Sequence, residues 1–322
     1  MSTTLRLPEP IVVLGGGGFI GASLVKRLVS DGYMNVKAVS RAFPDFRFKL
    51  LEGSWLAYCD LRDPEAVDRI IRGAGTVFHL AADMGGVGYM HSSADQPAST
   101  DNGRMTANVL SACERFQVPR VFFASSACAY PTEFQHGDPA PKLHEYMLRI
   151  PGTPDALYGV EKLHAMELAS RLPAARVGVL FTIYGPYQEH EGIRMKFPPA
   201  VATKAITARE TGVLEMWGDG SQLRCYQYID DAIEKIIRIT ASETYHGPVN
   251  VGHSGAISCL DVAKMCLSIV GADAEIVLSD DHPTGVMSRD CDNTKFNRLY
   301  GRMNELPYEE GFIKLIDWLD SL

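Results

Sequence analysis

Tyr158-Gly159-Val160-Glu161-Lys162 sets a phenol and an ammonium four residues apart, which places them on one helix face. A phenol titrating near ~10 serves as a base at neutral pH only if its anion is stabilised. A lysine at this spacing does that while reaching toward a bound ribose. A second constellation is Phe123-Ala124-Ser125-Ser126-Ala127-Cys128-Ala129-Tyr130-Pro131, an apolar run that ends in small polar side chains and a turn. Ser126 can hydrogen-bond a substrate hydroxyl and the Tyr158 phenol. Cys128 lies two residues on, on the same face if the chain stays extended, and a thiol exchanges a carbon-bound proton when a nearby cation stabilises its thiolate. Gly15, Gly18 and Gly21 form a third group, GxxGxxG. Glycines there permit a positive-φ turn, close approach of a pyrophosphate, and free N–H donors at a helix start. Each group also has a plain structural reading, as a surface pair, a packed thiol and a tight turn; their occurrence together favours the chemical one.

Such residues need a scaffold to bring them together. The apolar run Ile11–Leu14 ends in the glycines and is followed by the amphipathic stretch Phe19–Ser30, which reads as strand, tight turn, helix. Apolar runs recur at 36–39, 76–82, 121–125 and 177–182, separated by helix-like stretches such as 64–72 and 104–116. This alternation predicts an α/β fold, a Rossmann-type doubly wound parallel sheet covered on both faces. After about residue 185, Pro186, Pro198, Pro199, Gly212, Gly218 and Gly220 punctuate shorter elements. The expected organisation is a mainly dinucleotide-binding domain over 1–185 and a smaller, mixed substrate-binding region over 186–322, with some chain crossing between them.

A dinucleotide-binding unit usually carries an acidic residue after its second strand for the adenosine ribose. Here Ser40 stands there and Arg41 follows. A hydroxyl beside a guanidinium suits a 2′-phosphate, which leaves NADP open beside the alternative of a solvated arginine. Asp60-Leu61, after the third strand, would sit near the adenine, or else serve as turn former and core residue.

At 322 residues, 46% hydrophobic and 22% charged, the chain has the composition of a globular protein with a sizeable core. Its 31 Lys+Arg against 39 Asp+Glu give a net charge of -8, which argues against nucleic acid or an anionic membrane as partner. A phosphate-bearing ligand would therefore need a local cationic pocket. No apolar run approaches the ~20 residues of a bilayer span, and the first ten residues lack the core of a secretion signal, so a cytoplasmic location is expected. The seven cysteines are scattered, with no CxxC pair; neither a disulfide framework nor a metal site is suggested.

These residues resemble the extended short-chain dehydrogenase/reductase superfamily of sugar-nucleotide enzymes, and within it the GDP-mannose 3,5-epimerase branch. The likeness runs through the glycine motif, Ala81-Ala82-Asp83-Met84-Gly85-Gly86, the Ser125 to Pro131 segment, the Tyr158 motif, Ile183-Tyr184-Gly185-Pro186, Glu215-Met216-Trp217-Gly218-Asp219-Gly220, and Arg289 with Asp292-Asn293. The AADMGG and SSACxYP pieces mark the branch, whereas the glycines and YxxxK mark only the superfamily.

The resemblance implies transient oxidation at the hexose C4. Tyr158, supported by Lys162 and Ser126, would deprotonate the C4 hydroxyl as a bound NAD takes the hydride. The resulting 4-ketone would acidify the hydrogens at C3 and C5, and Cys128 and Lys196 would exchange protons there from opposite faces before the hydride returns. Implied cofactor contacts are Gly15, Gly18, Phe19, Ile20, Gly21, Ser40, Arg41, Asp60, Leu61, Ala81, Tyr158 and Lys162. Implied substrate contacts are Gly86, Ser126, Cys128, Lys196, Lys204, Arg224 and Arg289, with Arg224 and Arg289 on the diphosphate and Lys204 near the base. Asn102, Thr106 and Asn108 fit the superfamily's helix pattern. The implied ligand is a nucleotide-diphosphate sugar, and the implied assembly a homodimer through a helix pair.

Departures are visible too. Leu180-Phe181-Thr182-Ile183 stands where the branch has an Arg-Phe-His-Asn run, the acidic ribose residue is missing, and residues 133–154 show little similarity. The alternatives are a 4-epimerase, 4,6-dehydratase or decarboxylase on another nucleotide sugar, or a nonenzymatic NADP-binding protein. Related dehydratases carry a glutamate at the position of Cys128, which argues against dehydration here.

Overall fold

The structure, a computed structural model, describes residues 6–137, 139–281 and 284–322. The chain first alternates β1 (Ile11–Leu14), α1 (Phe19–Ser30), β2 (Val36–Ser40), β3 (Trp55–Tyr58), α2 (Pro64–Ile71), β4 (Thr76–His79), α3 (Val87–Met90), α4 (Asp95–Arg115), β5 (Arg120–Ser126), α5 (Ala156–Ser170) and β6 (Ala175–Leu180). There follow β7 (Thr182–Tyr184), α6 (Phe197–Thr211), β8 (Val213–Trp217), β9 (Leu223–Arg224), β10 (Tyr226–Tyr228), α7 (Ile229–Ala241), β11 (Val249–Val251) and β12 (Ile257–Ser258). The last elements are α8 (Cys259–Val270), β13 (Glu275–Ser279), β14 (Ser288–Arg289), α9 (Thr294–Tyr300) and α10 (Tyr308–Asp320).

β1 and β4 are buried along their whole length, as continuous apolar strands must be when helices cover both faces of a sheet. The central sheet runs β11-β6-β5-β4-β1-β2-β3 with every pair parallel. Strand order reverses between β1 and β4, so the loops at their carboxyl ends diverge and leave a crevice between them. This is the α/β, doubly wound parallel sheet expected from the alternating runs. Two boundaries differ from the sequence reading. The 76–82 run leaves the sheet after His79, where the chain turns into the crevice, and the 177–182 run divides at Phe181, after which β7 pairs with β10 instead. α4 begins at Asp95, well before the apolar periodicity shows, because its first turns are polar.

The later elements form smaller sheets, β8 with β13 and β12-β9-β14; α6 packs on β8 and α8 on β12, and α10 packs on α6 and α8. Two elements return to the main sheet: β11 pairs with β6, Val249 opposite Gly178, and α7 lies against α1. One apolar core therefore runs from Leu24 and Ile236 beside the sheet to Val201 and Phe312 beyond it, which fixes the two regions against each other. Among the described residues no helix is long and apolar enough to cross a membrane.

Candidate active site

β5 delivers Ser126 to the carboxyl edge of the sheet. Ser126 caps the short helical turn Ala127–Ala129, its Oγ accepting the Cys128 N–H at 3.2 Å, and it lies close enough to the Tyr158 phenol to favour its anion. α5 reaches the same point because of Gly159. A Cβ there would lie 2.3 Å from the Cys128 carbonyl oxygen, so only glycine lets the helix rest directly on the turn. Lys162 is buried, with Nζ 3.3 Å from Glu161 Oε2 and 5.6 Å from the centre of the Tyr158 ring. Burial pushes the Tyr158 phenol well above its ordinary pKa, with Cys128 and Glu161 adding to the effect and Ser126 opposing it. Loss of its proton thus calls for nearby positive charge, and the Lys162 ammonium is the cation at hand. Beneath the site, burial and then Lys162 push His79 down to about 3, so a neutral imidazole packs there, its Nε2 3.2 Å from Thr106 Oγ1.

Cys128 is buried beside the same helix. Arg289 holds the sulfur: Nη1 donates to Sγ at 3.3 Å, while Nε donates to Gln135 Oε1 at 2.7 Å and Nη2 to Asp155 Oδ2 at 2.6 Å. Lys196, the residue before α6, is near enough to interact electrostatically with Cys128. Burial lowers its pKa from the ordinary lysine value and Cys128 pulls the other way. Gly86, Ser126, Cys128, Lys196, Lys204, Arg224 and Arg289 all line one cavity of about 460 Å³. Leu180, Phe181 and Thr182 contribute to its wall, so where the epimerase branch carries its Arg-Phe-His-Asn run this chain offers mostly apolar surface.

Three of the cations at this cavity, Arg224, Arg289 and Lys204, are already engaged. Arg224 donates from Nη1 to Leu223 O at 2.8 Å and from Nη2 to Val286 O at 2.6 Å; burial and then Arg289 lower its pKa. Two guanidiniums that repel one another beside a cavity favour an anion between them. Arg289, expected at the diphosphate, differs from that expectation in its partners, since all three of its nitrogens bind Gln135, Cys128 and Asp155. Lys204 donates to Glu215 O at 2.9 Å.

The crevice between β1 and β4 forms a second cavity, lined by Gly15, Gly18, Ser40, Arg41, Leu61, Ala81 and Asp83 among others. Gly15 has φ +87°, and a Cβ on it would lie 2.8 Å from the Ala81 amide nitrogen, so the two loops meet backbone to backbone. Bare backbone in front of the α1 start, with Ser40 and Arg41 to one side, fits the pyrophosphate and ribose of a dinucleotide. Four expected contacts, Phe19, Ile20, Gly21 and Asp60, have other engagements as well. Phe19 and Ile20 are half-buried, with part of each side chain against the core, and Gly21 seats α1 against the turn, where a Cβ would lie 2.2 Å from Gly15 O. The Asp60 carboxylate is taken by Arg62, with Nη2–Oδ2 at 2.6 Å, and this hydrogen bonding is the main cause of its drop to about 2. Asn102, Thr106 and Asn108 brace the loops around both cavities through Asp83, His79 and the Leu61 carbonyl respectively.

Residues 11–252 match the family model described as the NAD dependent epimerase/dehydratase family. The chain belongs to the NAD dependent epimerase/dehydratase family. One relative is GDP-mannose 3,5-epimerase 1 of Oryza sativa subsp. japonica, 33% identical over 315 residues that make up 96% of this chain and 81% of the rice protein. Another is UDP-glucuronic acid decarboxylase 1 of Xenopus tropicalis, 26% identical over 318 residues, 96% of this chain and 71% of that protein. Among solved structures, UDP-glucuronic acid 4-epimerase from Bacillus cereus in complex with UDP-glucuronic acid and NAD superposes with a TM-score of 0.81 at 21% identity, over 97% of this chain and 99% of that one; that likeness concerns the fold. As a member of the epimerase/dehydratase family the protein is an NAD-dependent enzyme of nucleotide-sugar chemistry.

The sequence reading passed over Glu161, Asp155 and Gln135. Glu161 lies inside the Tyr158 motif and Asp155 three residues before the tyrosine, a signal of position only. Gln135 lies in the 133–154 stretch and gives none.

Proposed function

We propose that this protein is a nucleotide-sugar 3,5-epimerase acting on a GDP-hexose such as GDP-mannose. The observation that carries the reading is the placement of Cys128 and Lys196 on one cavity beside Ser126, with Tyr158 behind them. A plain 4-epimerase or a decarboxylase has no use for a thiol and an amine on the one cavity as a proton-exchanging pair.

NAD bound in the crevice supplies the acceptor for hydride from C4 and its return. Tyr158 takes the proton of the C4 hydroxyl, with Ser126 orienting both oxygens and Lys162 stabilising the phenolate. The 4-ketone so formed acidifies C3 and C5, whose carbanions are enolates. Cys128 and Lys196 then act as base and acid: one removes a proton from one face of the ring, and the other delivers a proton to the opposite face. Burial of Lys196 makes its neutral, proton-accepting form available closer to neutrality than for an exposed lysine. Arg289 holds the sulfur in place, Arg224 meets the diphosphate, and Lys204 marks the nucleotide end. In this reading residues 1–185 bind mainly the dinucleotide and 186–322 mainly the sugar nucleotide.

We also infer a homodimer, on the support of α5, where Leu157, Val160 and Leu168 are exposed along one helical stripe. The test of the reaction is incubation with GDP-mannose in deuterated water followed by NMR of the sugar. Deuterium at C3 and C5 is expected. A product altered only at C4, or no exchange at either carbon, overturns the assignment.

A further inference from the structure

Ala81-Ala82-Asp83-Met84-Gly85-Gly86 links the two cavities, its first three residues lining the dinucleotide crevice and its last three the substrate cavity. Its Asp83 is unusually well held. The backbone N–H donates to Asn102 Oδ1 at 2.7 Å, Asn102 Nδ2 donates back to Asp83 O at 2.9 Å, and Tyr89 Oη donates to Oδ1 at 2.8 Å. The same carboxylate oxygen receives Arg194 Nη1, and the Arg194 guanidinium lies 4.5 Å from the centre of the Tyr89 ring. Burial pushes the Asp83 carboxyl upward, but Arg194 and Tyr89 outweigh it and leave it below the usual carboxylate value.

Arg194 stands two residues before Lys196, and the chain between them lies flat on the glycines. A Cβ on Gly85 would come within 3.0 Å of Arg194 Cα, and one on Gly86 within 2.5 Å of Met195 O and 3.6 Å of Lys196 Cα. Any side chain at Gly86 would lift this segment off its seat. Lys196 then enters α6, its carbonyl accepting the Ala200 N–H at 3.2 Å. The amine that faces Cys128 is thus positioned by a strap fastened at Asp83, and Asp83 itself lines the dinucleotide crevice.

We propose that Asp83 and Arg194 are positioning residues whose ion pair clamps the segment carrying Lys196 onto the Gly85-Gly86 seat, fixing the amine against the substrate cavity. The proposal rests on the reading of Lys196 as an acid/base group. An Asp83-Arg194 pair that served stability alone would leave Lys196 in place when weakened.

The experiment uses the full-length protein carrying NAD, unaltered and as Arg194→Ala, Arg194→Lys and Asp83→Asn; the last keeps the shape and the Tyr89 contact if Arg194→Ala folds poorly. The first readout is the rate at which an amine-acylating reagent modifies Lys196, followed by peptide mass spectrometry across a pH series, and it needs no substrate. In the unaltered protein and in Arg194→Lys the labelling rate should level off at a lower pH than for an ordinary exposed lysine, because the pKa of the amine is lowered. In Arg194→Ala and Asp83→Asn the rate and pH profile should move toward those of an ordinary exposed lysine. The second readout is turnover of GDP-mannose, where kcat should fall on the order of 10²-fold with KM little changed, the cost of a group displaced by about 1 Å. Unchanged Lys196 labelling in both Arg194→Ala and Asp83→Asn overturns the proposal. If GDP-mannose shows no exchange even with the unaltered protein, the substrate reading falls, and the labelling result still decides the positioning claim.

Discussion

Replacing Gly159 with alanine is the smallest change that parts the Tyr158 helix from the Cys128 turn. The added methyl would sit 2.3 Å from the Cys128 carbonyl oxygen, 2.9 Å from Pro154 Cβ and 3.1 Å from the Cys128 carbonyl carbon. Ordinary contact begins at 3.4 Å, so helix and turn must separate by about 1 Å, and the nearest obstacle is backbone that cannot rotate aside. The separation carries Tyr158 away from Ser126, which caps that very turn. Overpacking of this kind costs about 1–3 kcal/mol, which for a chain of this size lowers Tm by a few degrees. A displacement of ~1 Å at the reacting groups costs on the order of 10²-fold in rate. The assay pairs Tm with the rate of hydride transfer from the sugar nucleotide to bound NAD. A protein that melts a few degrees lower and transfers hydride on the order of 10²-fold more slowly is expected. Wild-type hydride transfer in Gly159→Ala would refute the reasoning, because helix and turn could not then be in the contact that places the phenol.

The opposite outcome is expected for Gly103→Ala, in the interior of α4, where an added Cβ meets no heavy atom within 4 Å: stability should rise by about 0.5–1 kcal/mol, read as a higher Tm with unchanged turnover. Lys196→Met should lose carbon-proton exchange yet raise Tm at neutral pH. The folded-state pKa of Lys196 is lowered, so between that value and the ordinary lysine value the unfolded chain binds more protons. The protein therefore carries a penalty at neutral pH that is relieved as pH rises through this window, and removing the amine should flatten that dependence in a pH series of thermal melts. Leu168→Arg, on the exposed stripe of α5, should give a monomer by light scattering, and a dimeric mass would move the interface elsewhere.

The parts of the molecule that were legible from sequence are those whose signals are local. Ile11–Leu14 with its glycines, the β5 run into Ser126, and the four-residue spacing of Tyr158 and Lys162 each state their structure within a dozen residues. The α/β alternation follows from the same short apolar runs. What remained hidden is held together across long separations. β11 returns to the sheet beside β6, some seventy residues after that strand in the chain. The partners of Arg289 come from Gln135 and Asp155, more than a hundred residues away. Arg47, fully buried, donates to Gly17 O at 3.3 Å and to Tyr187 O at 2.7 Å, a bridge that nothing in its own neighbourhood announces. The engagement of Asp60 by Arg62, two residues on, is local, yet the spacing alone does not announce it.

The central claim is that a thiol and an amine on one cavity exchange carbon protons after Tyr158 has opened the way by oxidation at C4. It is tested most directly by Cys128→Ala incubated with GDP-mannose in deuterated water, with the sugar read by NMR and the bound dinucleotide by its near-ultraviolet absorbance. That variant should reduce the dinucleotide while admitting deuterium at no more than one ring carbon. Deuterium at both C3 and C5 at the wild-type rate would contradict it.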